Sequence, residues 1–288
     1  MYFCSERGSN PFSPPVTCLL DFLAALYRKG LSYSSINSAR SAVSSFCAMT
    51  FANEPIGKHC LVKRFMRGVF LLRPSLPRYQ VTWPVDKVLH FLERLTVDPG
   101  CVDLKQLTLK TVMLLALLSG QRLQSLHLIT LQNVTISDSL IKIRFGDLIK
   151  QSRPNYHLHE LTFHTFANVQ LCIVFHLTLY REVTQPLRGN ESALFISFCR
   201  PHKKVSKDTI ARWIRTVMQD SGIDISIFKP HSCRAASVSH ANKVGVPLAT
   251  ILRTAGWSSD CTFRKFYNKP ITNDTSFAEA VLSDFQQH

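Results

Sequence analysis

Apolar residues recur at three- and four-residue steps from near the start of the chain. Leu19, Leu20, Phe22, Leu23 and Leu26 mark one face of a helix, and Gly30 closes it as a C-cap would. Ser32 or Ser34 can cap a second helix through Ile36, Ala39, Val43 and Phe46, and a third, basic helix covers Val62–Leu71. Arg73-Pro74-Ser75-Leu76-Pro77-Arg78 then breaks the pattern, and its two prolines read as a basic linker. From Trp83 the helical period resumes over Val85–Leu95 and over the strongly apolar Leu107–Leu118, which Gly120 ends. Beyond that glycine the period falls to two. Val134-Thr135-Ile136 and Leu140–Phe145 predict strands about the turn Ser137-Asp138-Ser139, and His157-Leu158-His159-Glu160-Leu161 predicts a third. Helices return at Asn168–Tyr180, Ser206–Ser221, His231–Val244, Pro247–Thr254 and Cys261–Tyr267, and Phe277–Phe285 is an amphipathic tail. The pattern predicts a mainly α protein with a small antiparallel β-sheet. It has two domains: a helical one over 1–79 that includes the basic linker, and a larger one over 80–288 that includes the tail.

Composition narrows the function. Of 288 residues 45% are hydrophobic and 18% charged, enough to bury a real core and too apolar for a disordered chain. The balance of 34 basic against 19 acidic residues leaves +15, which calls for a polyanionic partner, nucleic acid or an anionic membrane. The membrane reading weakens at once. Thr111–Ser119 is the longest apolar run and falls far short of the roughly 18 residues a span requires. Met1-Tyr2-Phe3-Cys4-Ser5-Glu6 lacks the basic-then-apolar layout of a leader. Nine cysteines with no CxxC pair read as reduced thiols in a cytosolic or nuclear protein. Cys199-Arg200-Pro201-His202 has no second pair at zinc spacing, so no metal site is expected.

Four stretches carry candidate chemistry, and each alone has an ordinary explanation. Ser119-Gly120-Gln121-Arg122 delivers a planar, permanently charged fork at a helix end, where a surface arginine would serve as well. Lys150-Gln151-Ser152-Arg153-Pro154 sets a lysine after the strands, either a proton donor or part of a solvated loop. In Lys229-Pro230-His231-Ser232-Cys233-Arg234, Pro230 suits a helix start and places His231 and Arg234 on one face. Gly256-Trp257-Ser258-Ser259 precedes Thr262-Phe263-Arg264-Lys265-Phe266-Tyr267, a basic aromatic helix whose phenol is a nucleophile or a packing group.

Taken in order, these boxes resemble the tyrosine recombinase (phage integrase) family. Ser119–Arg122 matches its first arginine box, Lys150 its hairpin lysine, and His231–Arg234 its His-x-x-Arg box. Ala255-Gly256-Trp257-Ser258-Ser259 matches its Leu-Gly-His-Ser-Ser segment, and Phe266-Tyr267 its nucleophile box. The likeness covers about residues 80–270, while Tyr33-Ser34-Ser35-Ile36-Asn37-Ser38-Ala39-Arg40 resembles the family's SAM-like core-binding domain. The wording of 255–267 and 150–154 is most similar to recombinases of eukaryotic mobile elements, DIRS-type retrotransposons first and Cryptons second.

The resemblance implies a DNA-breaking and rejoining enzyme with the family's two-domain architecture. Arg122, Arg234 and Trp257 would bind the scissile phosphate, and Tyr267 would form a 3′-phosphotyrosyl bond. His231 would take the phenol proton and Lys150 protonate the leaving oxygen. Arg40, Lys63, Arg64, Arg67, Arg153, Arg264 and Lys265 would bind DNA. It implies double-stranded DNA and further protomers, in a tetramer, as partners, and no cofactor. A nuclear address follows, or a cytoplasmic one for a bacterial source. The absence of a Walker loop and of an acidic metal cluster agrees with transfer that needs neither ATP nor metal. The alternative is an inactive DNA-binding relic, while an RNA-binding role would need stacking motifs that the chain lacks.

The chain departs from the family's pattern in three places. Ser125 stands where an acid often follows the first arginine, and Cys233 and Ala235 replace the usual neighbours of Arg234. Trp257 to Tyr267 spans ten residues, one more than the commonest spacing. An extra residue turns a helix by about 100°, so a loop adjustment is expected to absorb it.

Overall fold

A computed structural model describes residues 2–48, 53–74, 79–149, 152, 154, 157 and 160–272. It divides into two compact units, Met1–Arg78 and Tyr79–His288. Lys150, Arg153, most of the basic linker and the amphipathic tail lie outside the described residues.

The first unit holds helices α1 (Tyr2–Ser5), α2 (Val16–Arg28), α3 (Tyr33–Phe46) and α4 (Cys60–Leu72). Its core is the seam that the periodicity marks: Leu19 and Leu23 of α2, Ile36 of α3, and Val62, Met66 and Val69 of α4. Gly30 takes the left-handed conformation after α2, and the Ser32 hydroxyl accepts the Ser35 N–H to start α3. Arg73 donates to the Tyr27 and Leu31 carbonyls, fastening the end of α4 to the end of α2.

The second unit is built on α6 (Leu104–Ser119), buried along nearly its whole length. A helix apolar on every side must be covered on every side. α8 (Ile173–Thr184), α9 (Lys207–Asp220) and α10 (Ser232–Lys243) pack against it, and α5 (Val85–Arg94) against α9 and α10. α7 (Leu123–His127) follows α6 directly, and α11 (Leu248–Ala255) and α12 (Asp260–Thr262) complete the helices. A three-stranded antiparallel sheet, in the order β1 (Val134–Ile136), β2 (Leu140–Arg144), β3 (Glu160–His164), lays Val134, Ile141, Ile143, Leu161 and Phe163 on the core.

Three elements differ from the expectation. The third strand runs over Glu160–His164 rather than from His157, because Ile141 pairs with Phe163 and Ile143 with Leu161. His157 instead bridges the Ser152 hydroxyl and the Phe145 carbonyl. The helix expected from Asn168 begins at Ile173, since the Asn168 side chain caps a 3₁₀ turn over Val169–Leu171. The helix expected over Cys261–Tyr267 is only three residues of α12, followed by a π turn at Phe263–Tyr267.

Two long-range links close the second unit. Thr82 donates its N–H to the Pro270 carbonyl and accepts from the Thr272 N–H and hydroxyl. The Trp83 indole donates to the Ser232 hydroxyl at 2.8 Å, tying the entry of the unit to the start of α10.

Candidate active site

Gly120 ends α6 in the left-handed conformation, φ +56°. A Cβ there would stand 3.3 Å from the Val238 side chain, so glycine serves both the turn and the close approach of α10. The turn presents Arg122 as the residue that opens α7. Gln121, buried between them, donates to the Thr254 carbonyl at 2.6 Å and joins this corner to α11.

Arg234 lies three residues into α10 and is buried, 3% exposed. Its terminal nitrogens donate to the Gly120 and Ala255 carbonyls, so one guanidinium ties together the ends of α6 and α11. Burial first, and then the neighbouring Arg122, push its pKa down to about 9, against a pull upward from the Tyr267 phenol. Among the described residues neither arginine pairs with a carboxylate. Ser125, where the family often has an acid, is buried and brings no charge to Arg122.

α11 ends as α6 does. Gly256 is left-handed at φ +72°, and the Trp257 N–H returns to the Leu252 carbonyl. That reversal lays the Trp257 ring over Arg234, whose guanidinium carbon is 4.1 Å from its centroid. The Tyr267 ring lies 4.8 Å from Trp257 and 5.2 Å from the same guanidinium carbon. Between Trp257 and Tyr267, where a loop adjustment is expected, the chain makes a π turn over Phe263–Tyr267. The Asn268 N–H bonds the Phe263 carbonyl five residues back, the wide bond of a π turn, which holds one residue more than an α turn.

Arg122, His231, Arg234 and Tyr267 line one cavity of about 760 Å³, together with Gln124, His127, Ser206, Lys207 and Asp208. His231 is the exposed residue capping α10, its ring 5.7 Å from that of Tyr79. Trp257 does not line the cavity; it packs behind Arg234 and against Phe263. Three N–H donors of this group, Arg122 Nη1, Arg234 Nε and Trp257 Nε1, are buried without a partner among the described residues. An unmet buried donor costs about 1–3 kcal/mol. Two cations that pair with no carboxylate among the described residues, with spare donors and a phenol in the same cavity, are chemically able to hold an oxyanion. Cys233, by contrast, is a core thiol against Met218, its pKa raised by burial.

The expected DNA-contacting residues are dispersed. Lys63, Arg64 and Arg67 are exposed on α4, opposite its buried Val62, Met66 and Val69, and Arg40 is half-buried on α3. Arg264 and Lys265 are exposed on the π turn, where Arg264 pairs with Asp260 at 2.7 Å.

The second unit coincides with a known family. Residues 85–273, about two thirds of the chain, match the model of the phage integrase family. Among solved structures the chain is similar to the XerA recombinase, with 16% identity, 100% of this chain and 88% of that one covered, and a TM-score of 0.51. It is also similar to the Tn1549 transposon integrase in complex with transposon right end DNA (14%, 94% and 84%, 0.59). A lambda integrase dimer bound to a core site is a third (15%, 90% and 65%, 0.52). No curated protein matches the chain. The mainly helical fold with its small antiparallel sheet is that of these recombinases, and the chain belongs to the phage integrase family of tyrosine recombinases.

Proposed function

We propose that this chain cuts and rejoins double-stranded DNA through a covalent phosphotyrosine. The observation that carries the reading is the single cavity in which Arg122, His231, Arg234 and Tyr267 meet, with an unmet buried N–H donor on each of the two arginines. In the reaction the Tyr267 oxygen bonds to the scissile phosphorus while the bond to the 5′-oxygen breaks. His231 accepts the phenol proton and Lys150 supplies one to the leaving oxygen, so a 5′-hydroxyl departs. Charge that builds on the non-bridging oxygens meets two fixed guanidiniums, whose preorganisation lowers the barrier. The phosphotyrosine conserves the bond energy, and a second 5′-hydroxyl reverses the step without ATP.

The first unit is the core-binding domain in this reading, with the basic face of α4 and Arg40 on the phosphate backbone; Arg153, Arg264 and Lys265 contact DNA from the second. The DNA-bound dimer of lambda integrase supports an assembly of several protomers on paired sites, a tetramer for full exchange. The wording of residues 255–267 supports integration of a mobile element, DIRS-type before Crypton, and hence a nuclear address.

A duplex nicked just beyond the scissile phosphate tests the reaction, since its short leaving strand diffuses away. The parent accumulates a detergent-resistant, protease-sensitive covalent band, unchanged by magnesium or a chelator. Tyr267→Phe binds the same duplex and gives no band. A band that persists in Tyr267→Phe assigns the nucleophile elsewhere. A parent that binds but never traps is the inactive relic.

A further inference from the structure

The nucleophile's turn ends abruptly. After the π bond from Asn268 to Phe263, the chain leaves the helix toward Pro270, and the Tyr267 carbonyl has no turn beyond it to accept from. Ser239, buried on α10 one helical face away from Arg234, supplies what is missing. Its hydroxyl donates to the Tyr267 carbonyl at 2.7 Å and accepts the Lys269 N–H at 3.0 Å. One hydroxyl thus fixes the backbone on both sides of the turn's exit, from the same helix that carries the arginine facing the phenol.

The geometry points to Ser239 as a positioning residue, which holds the π turn Phe263–Tyr267 so that its one extra residue leaves the phenol facing Arg234. This rests on the strand-transfer reading above. A plain α-helix with the ten-residue spacing would carry the phenol about 100° round from its place. The π turn takes up that rotation locally, between Phe263, which is buried against Trp257, and Tyr267. A π turn is a rare, single-turn variant of the helix, and an outside anchor favours it over an α turn. The Ser239 hydroxyl is such an anchor. Phe266, 55% exposed, is a residue whose removal closes the turn to an α turn with little loss of packing.

The test uses the full chain on the nicked duplex, with single-turnover trapping rate, duplex affinity and thermal midpoint read side by side. Ser239→Ala slows trapping about 10- to 100-fold, the scale of a misplaced reacting group, with affinity unchanged. Ser239→Thr, which keeps the hydroxyl, restores the rate. Deleting Phe266 brings the spacing to nine and keeps the rate within a few-fold, whereas inserting an alanine after Phe266 abolishes trapping. Ser239→Ala trapping at the parental rate overturns the inference. So does loss of trapping on Phe266 deletion with affinity and midpoint retained; if the deletion variant does not fold, the Ser239 pair decides alone. A parent without a covalent band overturns the strand-transfer reading itself, an outcome distinct from a trapping parent with an unaffected Ser239→Ala.

Discussion

At the scale of single residues the site is held by arginines that do two jobs. Arg234 fixes the ends of α6 and α11 through their carbonyls and still faces Tyr267. Lysine in its place would offer a point charge that cannot span both carbonyls or present a planar fork to phosphate. Arg122→Lys and Arg234→Lys are therefore expected to lower single-turnover cleavage by about 100- to 1,000-fold, the scale seen on removing one oxyanion donor. Duplex affinity should stay within a few-fold, because most of it comes from other phosphate contacts. A near-parental cleavage rate in either variant would take that arginine off the scissile phosphate. Arg122, His231, Arg234, Trp257 and Tyr267 are marked in the sequence because they stand in ordered boxes. Ser239 and Gln121 are not, since their importance lies in carbonyls 28 and 133 residues away. No local pattern in the sequence marks such partners.

At the scale of elements, period and caps predicted most of the helices and the first two strands. The failures have physical causes. Alternation over His157–Leu161 continues through Phe163, and only the pairing with β2 chooses which stretch becomes the strand. Asn168 lies near the expected helix start, but its side chain binds Gln170 N–H and closes a 3₁₀ turn instead. The π turn was hidden because apolar spacing cannot tell an inserted residue from a loop. α4 offers the clearest element-level prediction. Its exposed Lys63, Arg64 and Arg67 lie opposite an apolar seam, so neutralising them leaves the core untouched. Each of Lys63→Gln, Arg64→Gln and Arg67→Gln should lower the slope of log affinity against log salt by about 1 without changing sequence preference. Slopes equal to the parent's would remove α4 from the DNA.

At the scale of the whole molecule, the second unit buries Lys110 and His176 close together in its interior. Lys110, fully buried, donates to the Leu95 carbonyl and the Gln170 side chain, and burial lowers its pKa to about 8. His176 beside it is lowered to about 4, by burial first and then by Lys110. The fold thus prefers both groups neutral, whereas the unfolded chain protonates His176 below about 6.5 and Lys110 below about 10.5. Stability is therefore lost as pH falls from 10.5 to 8 through Lys110, and again from 6.5 to 4 through His176. At 1.36 kcal/mol per unit the histidine accounts for about 3 kcal/mol of the acid loss. Glu160, Glu191, Asp224 and Asp260, all lowered in the fold, add their own loss once pH falls below about 4.5. Denaturant unfolding at pH 7, 6, 5 and 4 should show the loss, and His176→Phe should flatten it above pH 4.5. An unchanged slope in that variant would place the acid sensitivity in His127, whose pKa burial also lowers, and in the carboxyls.

The links from Thr82 to Pro270 and Thr272 also set an order of assembly. They close a loop of some 190 residues, so the phenol's segment can dock only after nearly the whole unit has been synthesised. A nascent chain emerging from the ribosome places Arg122 and Arg234 first and receives the Tyr267 segment last. On the proposed strand-transfer route, a copy still short of that segment carries the arginines without the phenol, so it cannot break the DNA it touches.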